Sequence, residues 1–178
     1  MLNIGLDMDG VVVDFISPIA HYLGVQVEDI TTYWLPDLFP DRKADILKFC
    51  QKKNYFRGLR PYPKAVDFVK KLGQLEEVKA WYVSKPIKTA PDTWADKVSW
   101  ITEHTPRMLG TTILCPDKSV IGVDMLIDDD PKNLLTSPAK HKVLFSRPWN
   151  HEDKMFERVR NYDELLSKIK GIIKEKKK

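Results

Sequence analysis

Short apolar runs alternate with amphipathic stretches along most of this chain. Leu2, Ile4 and Leu6 are interleaved with Asn3 and Gly5, and Val11-Val12-Val13 continues the apolar character. A run of this kind that stops at acids and a glycine, here Asp7-Met8-Asp9-Gly10, predicts a buried strand ending at a site. Phe15, Ile19, Ala20 and Leu23 fall at helical spacing, and Gly24 stops that helix. Ala65, Phe68, Val69 and Leu72 form one face of a helix over 64–72, and 78–83 is a second strand before the turn Ser84-Lys85-Pro86. A helix is expected over 92–104, with Trp94, Val98 and Ile101 as its apolar stripe. Strands follow at 112–114 and 125–127, and 142–145 is expected to be the last strand. Leu165, Leu166, Ile169, Ile172 and Ile173 face the core from a closing helix over 162–174.

Apolar strands alternating with amphipathic helices imply an α/β fold, a Rossmann-like parallel sheet sandwiched by helices. Between 25 and 60 the pattern changes. This stretch is rich in aromatics (Tyr33, Trp34, Phe39, Phe49, Tyr55, Phe56), Pro and Asp, shows one clear helical segment near 42–53, and has no evident strand. It predicts a small helical cap inserted after the first strand. Leu59-Arg60-Pro61-Tyr62-Pro63 marks the return, since two prolines so close cannot lie in a helix interior. The expected organisation is a catalytic core of residues 1–14 and 61–178 and a cap subdomain of residues 15–60.

Composition narrows the class without changing this picture. A chain of 178 residues, 43% hydrophobic and 30% charged, is ordinary for one globular domain. No apolar run approaches the ~20 residues of a membrane span, and the first strand begins where a secretory leader would stand. Two cysteines, Cys50 and Cys115, are too few for a disulfide framework, so a cytoplasmic setting is expected. The net charge of +4 is mild, and much of it sits in the tail lysines Lys174, Lys176, Lys177 and Lys178. A solvated helix end accounts for them better than a nucleic-acid surface.

In a parallel sheet of this type, ligands collect at the carboxyl ends of the strands. Asp7, Asp9, Ser84, Asp128 and Asp129 all stand at such ends, and Lys118 lies in the loop leading to the fourth strand. In an extended segment Asp7 and Asp9 point to one side, about 7 Å apart. Two carboxylates at the mouth of an apolar strand repel each other and call for a cation or a shared proton. Asp7 is ionised at neutral pH but meets a phosphate ester as anion against anion, a repulsion of about 4 kcal/mol per charge pair at 4 Å and an effective dielectric of 20. A divalent cation shared with the phosphate removes that obstacle. Asp128 offers a second carboxylate for it, and an oxygen-only ligand set suits Mg²⁺. The histidines His21, His104, His141 and His151 show no zinc-like pairing.

On this chemistry Asp9 is the proton donor to the leaving oxygen, with a pKa raised by its neighbours, and later activates water against a phosphate formed on Asp7. Ser84 donates a hydrogen bond to the phosphate, and Lys118 supplies a fixed positive charge. Taken singly these residues have plainer explanations. Serine is common in turns after strands, lysine is abundant here, and Asp128-Asp129-Asp130-Pro131 can cap a helix begun at Pro131. One acid of that run is expected to cap while another binds metal.

The motifs Asp7-Met8-Asp9-Gly10-Val11, Ser84, Lys118 and Leu126-Ile127-Asp128-Asp129, in that order, resemble the four motifs of the haloacid dehalogenase-like phosphohydrolases. The chain is similar in more detail to the 5′(3′)-deoxyribonucleotidase family. That likeness adds Asp14-Phe15, Asn54-Tyr55-Phe56, Leu59-Arg60-Pro61 through Pro63 and Ala65, Ser84 to Lys88, Asp117-Lys118 and Phe145 to Asn150. The resemblance implies Asp7 as nucleophile and Mg²⁺ ligand, and Asp9 as acid/base and a ligand through its main-chain carbonyl. It implies Asp128 as the other metal carboxylate, Asp129 as a supporting acid, and Ser84 and Lys118 as phosphate binders. It further implies cap aromatics that touch base and sugar, for which Phe15, Tyr55 and Phe56 are the candidates. Two positions depart from the family: Lys85 separates the Ser84 hydroxyl from Pro86, and Asp130 stands where an arginine is common.

The expected activity is Mg²⁺-dependent dephosphorylation of deoxyribonucleoside monophosphates, a small nucleotide being the partner. Another small phosphate ester, or the 3′-phosphate of an oligonucleotide, fits the same chemistry. A phospho-accepting receiver domain does not, because its lysine comes last in order, whereas Lys118 precedes Asp128 and Asp129. A non-catalytic binding module would require the loss of a catalytic residue, and none is lost. Aromatic-rich caps also pack between subunits, which leaves a homodimer open.

Overall fold

The computed structural model describes residues 1–88 and 90–177; of the lysine tail, Lys178 lies outside the described residues. Six strands form one parallel sheet: β1 (Leu2–Leu6), β2 (Val78–Ser84), β3 (Thr112–Leu114), β4 (Met125–Asp128), β5 (His141–Phe145) and β6 (Glu157–Val159), in the order β3-β2-β1-β4-β5-β6. The α/β, Rossmann-like expectation therefore holds. The chain builds outward from β1 to β2 and β3, then crosses to the other side of β1 to lay down β4, β5 and β6. The switch point falls between β1 and β4, where Leu6 pairs with Ile127. Crossovers leave in opposite directions there, so a crevice opens at the carboxyl ends of these two strands.

The helices are α1 (Ile16–Leu23), α2 (Leu35–Leu38), α3 (Lys43–Cys50), α4 (Ala65–Leu72), α5 (Asp92–His104), α6 (Pro131–Thr136) and α7 (Tyr162–Lys176). Gly24 ends α1 in the left-handed region at φ 73°, donating its N–H to the carbonyls of Ala20 and His21. Leu2, Ile4, Leu6, Met125, Ile127 and Val143 are buried in the main core, where Phe68 of α4 and Leu165 and Ile169 of α7 meet them. Between β1 and β2 no strand occurs among the described residues. Ile16, Ile19, Ile30, Leu35 and Ile46 of this stretch form a separate buried cluster, closed by Trp149. The chain leaves the sheet at Asp14 and returns at Arg60 side by side, with the Asp14 N–H donating to the Arg60 carbonyl (2.9 Å) and the Tyr62 N–H to that of Val12 (2.9 Å).

Two expectations need correction. The 142–145 strand is followed by another: β6 adds a sixth strand at the edge, pairing Phe145 with Val159. Only Val159 of its three residues is buried, so the segment carries too little apolar pattern to be seen. On α5 the apolar stripe is rotated. Trp94 and Val98 are exposed (43% and 40%), and the inward face is Thr93, Asp96, Lys97, Trp100 and Ile101. A lysine and an aspartate thus occupy a face that hydropathy assigns to solvent, and Lys97 is there because it meets an acid of β1's turn.

Candidate active site

β1 delivers Asp7 at its carboxyl end, where the Asp7 N–H donates to the Ile127 carbonyl (3.0 Å) and continues the parallel ladder by one bond. The chain then coils tightly. The Val12 and Val13 N–H groups donate to the Met8 carbonyl at 2.7 and 2.8 Å, and the Gly10 N–H donates to that of Val13. Gly10 sits at φ +73°, and a Cβ there would lie 2.0 Å from Asp129 Oδ2. The glycine is therefore required twice, for its backbone conformation and for the close approach of a site carboxylate. Gly10→Ala is expected to lower stability by about 3 kcal/mol, from left-handed strain of roughly 1–2 kcal/mol plus displacement of Asp129. In a thermal melt this is a fall of roughly 6–12 °C for a chain of this size. Gly24→Ala, with the same φ and nothing within 4 Å, should cost only the strain.

β4 delivers Asp128 and Asp129, both fully buried. The short helical turn after Asp117, whose side chain accepts from the Ser119 N–H at 2.9 Å, turns Lys118 inward. Its ammonium lies 2.8 Å from Asp7 Oδ1 and 2.7 Å from Asp128 Oδ2. Asp128 Oδ1 accepts from the Asp130 N–H and from Asn133 Nδ2, each at 3.0 Å. Lys85, the residue that separates Ser84 from Pro86, donates to Asn133 Oδ1. Asp130 caps α6 through the Lys132 N–H (3.0 Å), so of the three consecutive acids one caps and two face the site. Ser84, at the end of β2, is fully buried with its Oγ unpartnered among the described residues.

Burial sets the electrostatics. It raises the Asp128 carboxyl to about 6, with Lys118 opposing and Asp7 adding to the rise. Asp129 is held well above the usual carboxylate range by burial and by the charges of Asp128 and Asp7. Burial works against the Lys118 charge, but Asp128 and Asp7 outweigh it and hold its pKa above that of a free lysine. Asp9 is also raised: burial pushes it up, Lys97 pulls it back, and Asp7 pushes it up again.

Asp7, Asp128 and Asp129 each bring a carboxylate oxygen within 4.8 Å of the others, and Asp129 Oδ1 is buried without a partner among the described residues. A set of oxygen donors alone, converging with an unsatisfied acceptor, fits a hard divalent cation such as Mg²⁺.

Several residues that hold this arrangement carried no signal in the sequence. Lys97 pairs with Asp9 Oδ2 at 2.5 Å. The Trp149 indole donates to Asp129 Oδ2 (2.8 Å), and Asn150 Nδ2 donates to the carbonyls of Asp129 and Phe145. Arg147 donates to the Gly10 carbonyl while its guanidinium lies 3.7 Å over the Tyr62 ring, and the Tyr162 hydroxyl donates to the Val11 carbonyl (2.7 Å). The only hint was the likeness of 145–150 to the nucleotidase family.

Where the helical insertion meets the strand ends, a cavity of about 80 Å³ is lined by Asp9, Phe15, Phe56, Tyr33 and Lys85 among others. Phe15 stacks on Phe56 at 5.6 Å. Tyr55 stands behind them, its hydroxyl donating to the Phe15 carbonyl (3.1 Å), and it does not line the cavity. Tyr33 faces the acids: burial and the charges of Asp129, Asp7, Asp9 and Asp128 hold its phenol well above the ordinary tyrosine pKa.

A parallel sheet with this switch point, paired acids after β1, a buried lysine and a second acidic pair after β4 define a haloacid dehalogenase-like phosphatase. Solved structures agree on the fold. A haloacid dehalogenase-like family hydrolase from Streptococcus pneumoniae superposes with a TM-score of 0.57 at 14% identity, covering 95% of this chain and 98% of its own. A haloacid dehalogenase-like protein from Agrobacterium tumefaciens gives 0.60 at 14%, covering 96% and 98%. A Staphylococcus aureus relative is 27% identical over 170 residues, 92% of each chain. The mouse mitochondrial 5′(3′)-deoxyribonucleotidase is 28% identical over 165 residues, 84% of this chain and 75% of its own. The model of the family "5′ nucleotidase, deoxy (pyrimidine), cytosolic type C" matches residues 1–176, and the chain belongs to that family.

Among the described residues no helix is long and apolar enough to cross a membrane.

Proposed function

We propose that this phosphatase removes the phosphate of free deoxyribonucleoside 5′- or 3′-monophosphates through a phospho-aspartate on Asp7. The observation that carries the proposal is the Lys118 ammonium held between Asp7 and Asp128, while at the end of the strand adjacent to β1 the buried Ser84 hydroxyl has no partner among the described residues. A lysine shared by two acids and a free donor at neighbouring strand ends offer a cradle for an incoming anion. Asp7 attacks phosphorus: the Asp7 O–P bond forms and the bond to the leaving oxygen breaks. Asp9, whose carboxyl burial holds above the ordinary aspartate value against the pull of Lys97, gives its proton to the leaving alkoxide. It then takes a proton from the water that cleaves the phospho-aspartate. Lys118 and Ser84 hold the phosphate oxygens throughout. The Asp7 and Asp128 carboxylates and the Asp9 main-chain carbonyl would hold Mg²⁺, with Asp129 beside them. Such an ion would supply the positive charge that offsets the repulsion between a carboxylate nucleophile and a phosphate ester.

Residues 15–60 serve as a cap over these groups, with Phe15 and Phe56 facing the nucleoside. The cavity at the seam, about 80 Å³, is lined by Asp9, Phe15 and Phe56 on the side of the nucleoside and is too small for it, since sites for whole small molecules run to roughly 300 Å³ or more. Nucleotide entry therefore requires the cap to move off the strand ends. A free nucleotide fits better than an oligonucleotide end because the tail lysines lie elsewhere. Lys176 pairs with Asp124 and Lys177 with Glu77, residues that precede β4 and β2, at the opposite end of the sheet from Asp7. Buried free thiols at Cys50 and Cys115 accord with a cytoplasmic enzyme.

The test is phosphate release from deoxyribo- and ribonucleoside 5′- and 3′-monophosphates and from 4-nitrophenyl phosphate, with Mg²⁺ and with EDTA. Mg²⁺-dependent release favouring deoxyribonucleotides is expected. Release from the aryl ester and from no nucleotide would overturn the substrate assignment and leave the phosphatase chemistry.

A further inference from the structure

Two lysines are buried at the site, and they divide its acids between them. Lys118 takes Asp7 and Asp128, on the side where the cation and phosphate would sit. Lys97, on α5, takes Asp9 alone. It is 1% exposed, its ammonium is 2.5 Å from Asp9 Oδ2, and the face of Phe56 lies 4.8 Å away. A lysine on a helix face packed into a core is rare, since burying its charge is costly unless it is paired with good geometry. An apolar side chain at position 97 would pack against Phe56 but leave the Asp9 carboxylate without its partner, so the lysine is there for the acid.

The Asp9 carboxylate shows what the lysine achieves. Its two oxygens are in different situations: Oδ2 is clamped by Lys97, while Oδ1 is buried and has no partner among the described residues. Asp9 lines the cavity at the seam together with Phe15 and Phe56, the side on which the sugar of a nucleotide would lie. A buried acceptor left unpaired in a folded protein calls for an explanation. A carboxylate with one oxygen tethered and the other free presents a single oxygen in one orientation to whatever enters that cavity.

We propose that Lys97 is a positioning residue for proton transfer: it fixes the Asp9 carboxylate so that Oδ1 alone meets the leaving oxygen. The inference rests on the functional reading above, in which Asp9 protonates the leaving group. The alkoxide of a nucleotide needs that proton, whereas 4-nitrophenolate leaves without one. A misoriented Asp9 must therefore damage alkyl esters far more than aryl esters, and a purely structural defect must damage both alike.

The experiment compares kcat/KM, which reports the steps through departure of the leaving group, for thymidine 5′-monophosphate and 4-nitrophenyl phosphate in wild type, Lys97→Met and Lys97→Arg. Lys97→Met is expected to lower the nucleotide value by about 10²-fold or more and the aryl value by less than about 10-fold. Lys97→Arg, which keeps a charged donor, should recover part of the alkyl-to-aryl ratio. Thermal melts identify a variant that fails to fold, and in that event the Lys97→Arg and Lys97→Gln ratios decide the matter. Equal losses on both esters, or full activity in Lys97→Met, would overturn the role of Lys97 while leaving the functional reading intact. If wild type cleaves the aryl ester and no nucleotide, the substrate assignment fails, and the same ratio is read with a simple alkyl phosphate. If wild type releases phosphate from neither class of ester, the functional reading fails and the inference falls with it.

Discussion

Asp7→Asn should abolish phosphate release, lowering kcat by about 10⁴-fold or more, while the protein stays folded. The loss follows from chemistry: a carboxamide oxygen is a poor nucleophile and carries no charge to share with a cation. Folding survives because the amide retains what the fold uses. Its oxygen can still accept from the Met8 N–H, a bond of 2.8 Å in the present structure, and from Lys118. One of three carboxylates crowded within 4.8 Å becomes neutral, which relieves repulsion that Lys118 alone cannot cancel. Melts in EDTA should therefore give an unchanged or higher midpoint, and the stabilisation by added Mg²⁺ should shrink. Residual turnover above about 1% of wild type would mean that Asp7 is not the nucleophile.

The acids at the strand ends were legible because a buried parallel strand is a near-continuous apolar run, so an acid or glycine that ends it stands out. Asp7, Asp9, Ser84, Asp128 and Asp129 were found in this way, and the topology brings their strands together. Lys118 was legible through motif order. What escaped was whatever depends on contacts between distant segments. Lys97 lies 88 positions from Asp9, and hydropathy turns its helix the wrong way round, putting Trp94 and Val98 inside. Trp149 and Asn150 reach Asp129 across 20 and 21 positions from a loop that stood out only by its likeness to the nucleotidase family, which gave no role to either residue. Tyr33 was visible only as one aromatic among several in the insertion. β6 is short and mostly solvated, and it is held by Arg158 donating to the carbonyls of Asn150 and Asp153, which no periodicity records. Local pattern announces an element whose own residues carry the burial. Where a distant partner makes the burial affordable, as Asp9 does for Lys97, pattern points the other way.

Lys118→Met should cost more stability than any other single change at the site, and the cost should depend on pH and on metal. Lys118 is 1% exposed and is the cation shared by Asp7 and Asp128. Methionine fills most of its volume but leaves these acids and Asp129 buried without that positive charge, a situation that typically costs about 3–5 kcal/mol. The direction with pH follows from Asp128. Its folded carboxyl titrates at about 6, above the 3.8 of an unperturbed aspartate. Between those values the folded protein holds a proton that the unfolded chain has released, so stability falls as pH rises through that window. Lys118 is among the groups that lower the Asp128 value. Removing it moves the window upward, so the gap in melting temperature between wild type and variant should be smaller near pH 5 than near pH 7.5, where it should reach roughly 10 °C. Divalent cation then replaces the lost charge: Mg²⁺ should raise the midpoint of the variant more than that of wild type. Phosphate release should nevertheless stay about 10³-fold down, because the fixed donor to the phosphate is gone. A variant whose stability follows wild type across this range, in EDTA and in Mg²⁺ alike, would mean that Asp7, Asp128 and Asp129 are already neutralised by shared protons and that Lys118 is not the charge that holds them.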